Sequence, residues 1–456
     1  MTNILKKDSS KLLKWILLIF IGLLFFFSLM FYDVTISYNS GYNLFNAIIH
    51  GNFPGKYAFE SAFYIPVHIV FAIWGIPCWI FVNLGLAEVT STGCLLWAKL
   101  LIVLSYAGCI YITNKLLKKQ DCENNDFWIF TLASSVMLFL SPFAMATYDT
   151  FQLFLILLTI YYASNEDNLS FKTLIIMSAA VSFKFLMFFT AMTIILLKEK
   201  RILKILKSTI IMMIIPGALY IFSQLFRRTA IGSNPEELTV GFAHRFFSVI
   251  LNGGLFNISI YFIFIFAILL YAYLSNKNTS SENFIKSISW LTTAQFLALF
   301  LFVYKNEPQW IVFLPPFIIL TIFNNHKRFE SNIILENILE ICITIVQIFY
   351  FGWQYMSEEL FDFLLFKNIP TTFLLRKDIA NGYIILANLG LESYMPVFCA
   401  LILCIGTALL ITNLPKQKQE ATTIINEKPI IITSNILRLI ILALYFIVIV
   451  LIRFFI

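Results

Sequence analysis

The sequence predicts an all-α polytopic membrane protein, a bundle of about 11 to 13 transmembrane helices with further helices lying on the outer face. Three observations carry that expectation. Of the 456 residues, 60% are hydrophobic and only 12% are charged, about half the charged fraction usual for a soluble domain. Apolar stretches recur from Trp15 to Phe455 with no long polar block between them, so no separate soluble domain fits. The 32 basic residues concentrate in alternate connecting segments, as they do where Lys and Arg mark the cytoplasmic side.

The elements follow in order. Lys6, Lys7, Lys11 and Lys14 precede an apolar run from Trp15 to Phe31. Tyr32, Asp33 and Val34 follow it instead of a small-residue cleavage site, so it reads as a retained first span and not as a secretory signal. Later spans are expected near residues 95–114, 126–143, 148–163, 208–225, 257–275, 287–303, 309–323, 333–352, 394–412 and 436–453. The stretch 65–84 holds Pro66, Gly75 and Pro77, and a full crossing there would put Lys115, Lys118 and Lys119 outside. It reads as a juxtamembrane or re-entrant helix pair on the outer face. Residues 171–197 are too long for one span and carry Lys184 near the middle. A pair of helices broken at Lys184 is expected there, followed by the basic run Lys198, Lys200, Arg201, Lys204 and Lys207.

That threading places the N-terminus inside, with 21 of the 32 basic residues, Arg438 among them, facing the cytoplasm, 10 outside, Lys99 among them, and Lys184 between. It divides the chain into residues 1–225, with a first outer loop at 32–94, and residues 226–456, with outer loops at 226–256 and 353–393. The net charge of +7 is then a topology signal, and no nucleic-acid partner is implied. Cys78, Cys94, Cys109, Cys122, Cys342, Cys399 and Cys404 show no metal or redox spacing and lie mostly in apolar runs, where a thiol packs as a small hydrophobe. The short inner loops contain no Gly-rich phosphate cradle, which argues against a cytoplasmic nucleotide site.

Candidate chemistry gathers on the outer face. Asp33 follows the first span directly, in an aromatic and polar stretch with Tyr38, Asn43, His50 and Tyr57. A carboxylate at that boundary is partly desolvated and can serve as a general base; a solvated Asp among interfacial tyrosines has the same appearance. Asp149 opens a helix after the turn Ser141-Pro142, where the helix dipole favours a carboxylate with or without a function. Lys184 at mid-membrane should face a cavity, a partner or a pathway, unless it snorkels to the surface. Arg227 and Arg228 stand outside against the charge trend, and a guanidinium pair at headgroup depth suits a phosphate, that of a substrate or of an ordinary lipid. Lys305 to Trp310 form a short polar turn that contains Gln309 and leads into Pro315 and Pro316; a turn and an interfacial Trp account for its composition.

Taken in order, these features resemble the GT-C superfamily of membrane glycosyltransferases that use polyprenyl-phosphate sugars. The residues that carry the likeness are Asp33 after the first span, the 65–84 stretch, Ser141-Pro142 with Tyr148-Asp149, Phe183-Lys184-Phe185, and the basic run 198–207. Pro308-Gln309-Trp310 followed by Pro316-Phe317 is similar to a pattern of some bacterial members. The resemblance covers mainly residues 15–225 and the turn near 308. It implies a GT-C-like fold and transfer of a sugar, with inversion, from a polyprenyl-phosphate donor to a hydroxyl of a glycan or glycolipid acceptor on the outer face of the cell membrane. Asp33 and Asp149 are then the catalytic carboxylates. Arg227, Arg228 and Lys184 meet the donor phosphate, and Tyr38, Asn43, His50, Tyr57, Gln309 and Trp310 contact substrate. Many relatives carry paired acidic residues in the first loop, whereas Val34 follows Asp33, so no cofactor is expected and a divalent metal lacks its usual ligands. The alternatives are a glycolipid or polysaccharide transporter, expected to show charged residues in several spans and an internal repeat, and a polysaccharide polymerase, expected to carry one large Arg-rich outer loop.

Overall fold

The computed structural model describes residues 2–29, 32–51, 65–120, 122, 125–226, 249–252, 257–277, 280–303, 308–323, 325–350, 390, 392–415 and 429–455. These are almost entirely helical, joined by one short antiparallel pair, β1 (Ile250–Asn252) and β2 (Asn257–Ser259), in which Leu251 opposes Ile258. Among the described residues four helices are long and apolar enough to cross a membrane, Thr92–Lys118, Ser281–Phe302, Met395–Thr412 and Pro429–Val448, or up to seven if each bent pair is one span. The chain is a multi-pass helical membrane protein. Among the described residues these candidates are fewer than the about 11 to 13 that apolar run length predicts, and several runs are cut into shorter helices by breaks.

The first break matches the expectation from Pro66, Gly75 and Pro77. Helices α3 (Ile65–Trp74) and α4 (Ile76–Asn83) meet at Gly75 with a bend of 63°, and Pro77 lies in the first turn of α4, where its missing N–H leaves no bond unmade. Helix α2 (Tyr32–Ile49) packs on α3, so what reads as the start of a loop is a helix. The two cross at Gly41, where an added Cβ would stand 2.8 Å from the Ala72 nitrogen and 2.9 Å from the Phe71 carbonyl carbon. Backbone cannot yield as a side chain does. Gly41→Ala is therefore expected to destabilise the protein by about 1–3 kcal/mol, while Gly217→Ala, with nothing within 4 Å, should be neutral or stabilising by up to about 1 kcal/mol. Thermal unfolding in detergent measures both. On its other side α3 is clamped to α5 (Thr92–Lys118): Trp74 and Trp97 stack with ring centroids 4.8 Å apart, and each indole N–H donates to the other residue's carbonyl at 2.8 Å.

The second break falls inside the span expected over 126–143. Helix α6 (Asn125–Ala133) stops at Ser134, α7 (Val136–Leu140) starts after Ser135, and a π-helical turn over Ser141–Met145 completes a segment bent by 50°. The Val136 N–H and the Ser135 hydroxyl at the break are met from far along the chain. Glu340, on the helix Phe329–Tyr350, accepts from the Val136 N–H at 2.9 Å and from the Ser135 hydroxyl. Arg438, on the helix Pro429–Phe455, pairs with Glu336 and with Glu340 and donates to the Thr131 carbonyl at 3.1 Å. All three ionisable side chains are buried.

A third cut falls at Lys184, as its mid-run charge predicts: α9 (Phe171–Phe183) ends there, Lys184 is extended, and α10 runs Met187–Lys198. A fourth, between α11 (Ile202–Met212) and α12 (Ile214–Phe226), bends the chain by 42°. One buried hydrophobic cluster draws on helices before and after residue 225. In it the first helix, α1 (Thr2–Ser28), meets the last: Phe25 lies 5.1 Å from Phe446 and 6.4 Å from Tyr445, centroid to centroid.

Candidate functional site

The turn before α8 (Asp149–Ser164) is held from within. Ser141 hydrogen-bonds through its hydroxyl to Thr147 at 2.8 Å and Thr150 at 2.7 Å, and its carbonyl accepts the Thr147 N–H. Ala146 sits at φ 51°, a left-handed backbone that costs an L-residue roughly 1–2 kcal/mol. This conformation reverses the chain and delivers Asp149 at the first turn of α8 with its side chain buried. Its carboxylate Oδ1 accepts from Lys184 Nζ at 2.6 Å.

Lys184 reaches that carboxylate because the break frees it from a helical face. Gln152, three residues along from Asp149, satisfies the carbonyls exposed by the break, donating from Nε2 to Ala180 at 2.9 Å and to Lys184 at 3.1 Å. The Lys184 ammonium also lies 5.0 Å from the Tyr148 ring and 5.7 Å from the Trp310 ring, within cation–π range. Trp310 comes from a short 3₁₀ helix, Pro308–Phe313, so three segments far apart in sequence meet at one ion pair. Gln309, beside it, is buried with Oε1 lacking a hydrogen-bond partner among the described residues. Such an acceptor is suited to a substrate hydroxyl.

The start of α2 joins the same buried packing. Val34 and Tyr38 belong to one hydrophobic cluster with Ala146, Tyr148 and Phe183, which links the helix that bears Asp33 to the turn that bears Asp149 through shared side-chain packing. The Asp33 side chain, Tyr57, Arg227 and Arg228 lie outside the described residues. Tyr38 does not form part of an open aromatic loop: it is fully buried against Phe71. His50 is exposed, its Nδ1 2.9 Å from the Asn46 carbonyl oxygen, and Asn43 is exposed on the same helix. Neither is placed beside the Asp149–Lys184 pair by any described contact.

Sequence reasoning missed two features. Gln152 was legible only as a polar residue one turn from Asp149. Lys99, counted there among the outer cations, is fully buried in α5 and donates to the carbonyls of Phe25 at 3.1 Å, Phe26 at 2.9 Å and Leu29. It closes the end of α1 three residues before α2 begins. Among the described residues no three His, Cys, Asp or Glu side chains are grouped to hold a metal ion. Set against known proteins, the chain matches no family model, no curated protein and no solved structure.

Proposed function

We propose that the chain is a membrane glycosyltransferase that moves a sugar from a polyprenyl-phosphate donor to an acceptor hydroxyl on the extracytoplasmic face, in the manner of the GT-C enzymes it resembles. The observation that carries this reading is the part-buried Asp149–Lys184 ion pair, with the Trp310 ring 5.7 Å from the ammonium and the α2 start in the cluster that holds Tyr148 and Phe183. Asp33 takes the proton of the acceptor hydroxyl as its oxygen attacks the anomeric carbon. The bond from that carbon to the phosphate oxygen breaks, and its electron pair leaves with the polyprenyl phosphate. Lys184, Arg227 and Arg228 meet the charge that develops there. Asp149 acts through Lys184, holding the ammonium in the break, and the Gln309 carbonyl accepts a hydroxyl of the sugar.

The N-terminus is cytoplasmic in this reading. With Lys99, Lys198 and Arg438 removed from the count as buried, the split becomes 19 inner against 9 outer basic residues, so the charge bias is unchanged. The same burial favours the transporter as the second reading, since Lys99, Glu336, Glu340 and Arg438 are ionisable groups inside helices. Lys99, Glu340 and Arg438, however, bond across a helix end or a break, and Glu336 pairs with Arg438, which is a structural use. The test is the full-length protein in vesicles with a polyprenyl-phosphate hexose labelled in the sugar and a glycolipid acceptor. Label should appear in the acceptor with one free polyprenyl phosphate per sugar. Label that crosses the vesicle still attached to its lipid would replace the enzyme by the transporter.

A further inference from the structure

The basic run after α10 divides into two kinds of residue that its sequence does not distinguish. Lys198 is buried and donates to the Glu166 carbonyl at 2.7 Å, with its ammonium 4.3 Å from the Phe284 ring. Lys200 donates to the carbonyls of Leu196 and Ala272 at 2.7 Å and of Tyr273 at 3.1 Å, closing the C-terminal ends of two helices. Burial pulls the Lys200 amine down to about 8. Arg201, Lys204 and Lys207 are different: all three are exposed, and Lys204 stands 3.9 Å from the Glu199 carboxylate.

Their setting is the helix α11. At 3.6 residues per turn its buried side carries Ile205, Ser208 and Met212, packed toward α9. The opposite side exposes Ile202, Leu203, Leu206 and Ile210, with Leu203 80% and Ile202 71% accessible. Lys204 and Lys207 form a rim along one flank between the two, and Arg201 closes its end. An apolar face bordered on one side by cations is the pattern of a helix lying at the bilayer boundary, with apolar residues in the acyl region and cations at phosphate depth.

We propose that α11 is a docking helix for anionic phospholipid, with Arg201, Lys204 and Lys207 contacting the headgroups and the Ile202–Ile210 face resting on the acyl chains. Charge complementarity decides the occupant. A zwitterionic surface offers three cations no net attraction, whereas an anionic one contributes about 1 kcal/mol for each Lys or Arg at the surface, roughly fivefold in affinity. The docking is independent of whether the chain transfers sugar.

The experiment uses the full-length protein in dodecyl maltoside, titrated at low salt with dioleoyl phosphatidylglycerol or dioleoyl phosphatidylcholine while thermal unfolding is followed. The wild type should be stabilised at lower concentrations of phosphatidylglycerol, and salt near 0.5 M should weaken this preference as the Debye length shortens. The variant Arg201→Gln/Lys204→Gln/Lys207→Gln should need roughly a hundredfold more phosphatidylglycerol, while Lys204→Arg/Lys207→Arg, which keeps the charge and guards against misfolding, should match the wild type. Lys118→Gln/Lys172→Gln removes two other exposed lysines and should change the requirement by less than about twofold. Equal stabilisation by the two lipids, an undiminished response in the triple Gln variant, or an equal loss in the Lys118/Lys172 variant would overturn the proposal.

Discussion

Asp33→Asn is expected to lower sugar transfer by about 10² to 10⁴ while leaving the protein folded, because it keeps the size and polarity of the side chain and removes only the base. Retention of more than about a tenth of wild-type turnover would remove Asp33 from that role. Asp149→Asn should fail in another way. Asp149 is 1% exposed and Lys184 13%, and stripping a buried cation of its counter-charge costs up to about 3–5 kcal/mol. The loss should be visible in thermal unfolding, and the double variant Asp149→Asn/Lys184→Met should recover most of that stability while remaining poor in transfer, a coupling that only contacting residues produce. If Asp149→Asn is stable and inactive while Asp33→Asn is active, the base is Asp149, and the enzyme reading stands with its carboxylates exchanged.

Arg438→Leu is the second large effect, and it falls on stability. It leaves Glu336 and Glu340, 3% and 1% exposed, facing an apolar interior with no cation between them, which should cost about 3–5 kcal/mol. Glu340 has to stay, since it alone receives the Val136 N–H and the Ser135 hydroxyl at the break between α6 and α7. The compensating variant is therefore Arg438→Leu/Glu336→Leu, which removes one charge of each sign and should regain most of the loss. Unfolding measured in detergent decides it. A single Arg438→Leu variant within about 1 kcal/mol of wild type would show that the network does not hold the bent segment.

How far the sequence was readable depends on where each break is encoded. The bend at Gly75 is local: prolines and a glycine interrupt the helix themselves, and the same holds for a lysine placed in the middle of an apolar run at 184. The break at Ser134-Ser135 is not local. Two serines in an apolar stretch fit a continuous helix as well as a broken one, and what selects the break is a glutamate about two hundred positions away in the chain. Lys99 and Arg438 were misread for a related reason. A cation near the end of an apolar run is usually drawn to the surface, and only the carbonyls of α1 and the Glu336–Glu340 pair, supplied by other helices, show that these two stay inside. The site divides in the same way. Asp149 and Lys184 could be named from sequence, but that the two share one hydrogen bond, with Gln152 beneath and Trp310 beside them, is a property of the packing.

The clamp between Trp74 and Trp97 gives this protein an optical handle. Two indoles stacked nearly parallel, 12° apart in plane, couple their electronic transitions and absorb left- and right-circularly polarised light unequally, with opposite sign on either side of the shared absorption band. That signal exists only while α3 is seated on α5. Its amplitude in the far ultraviolet therefore reports, without any added label, the fraction of molecules whose bent α3–α4 pair is docked.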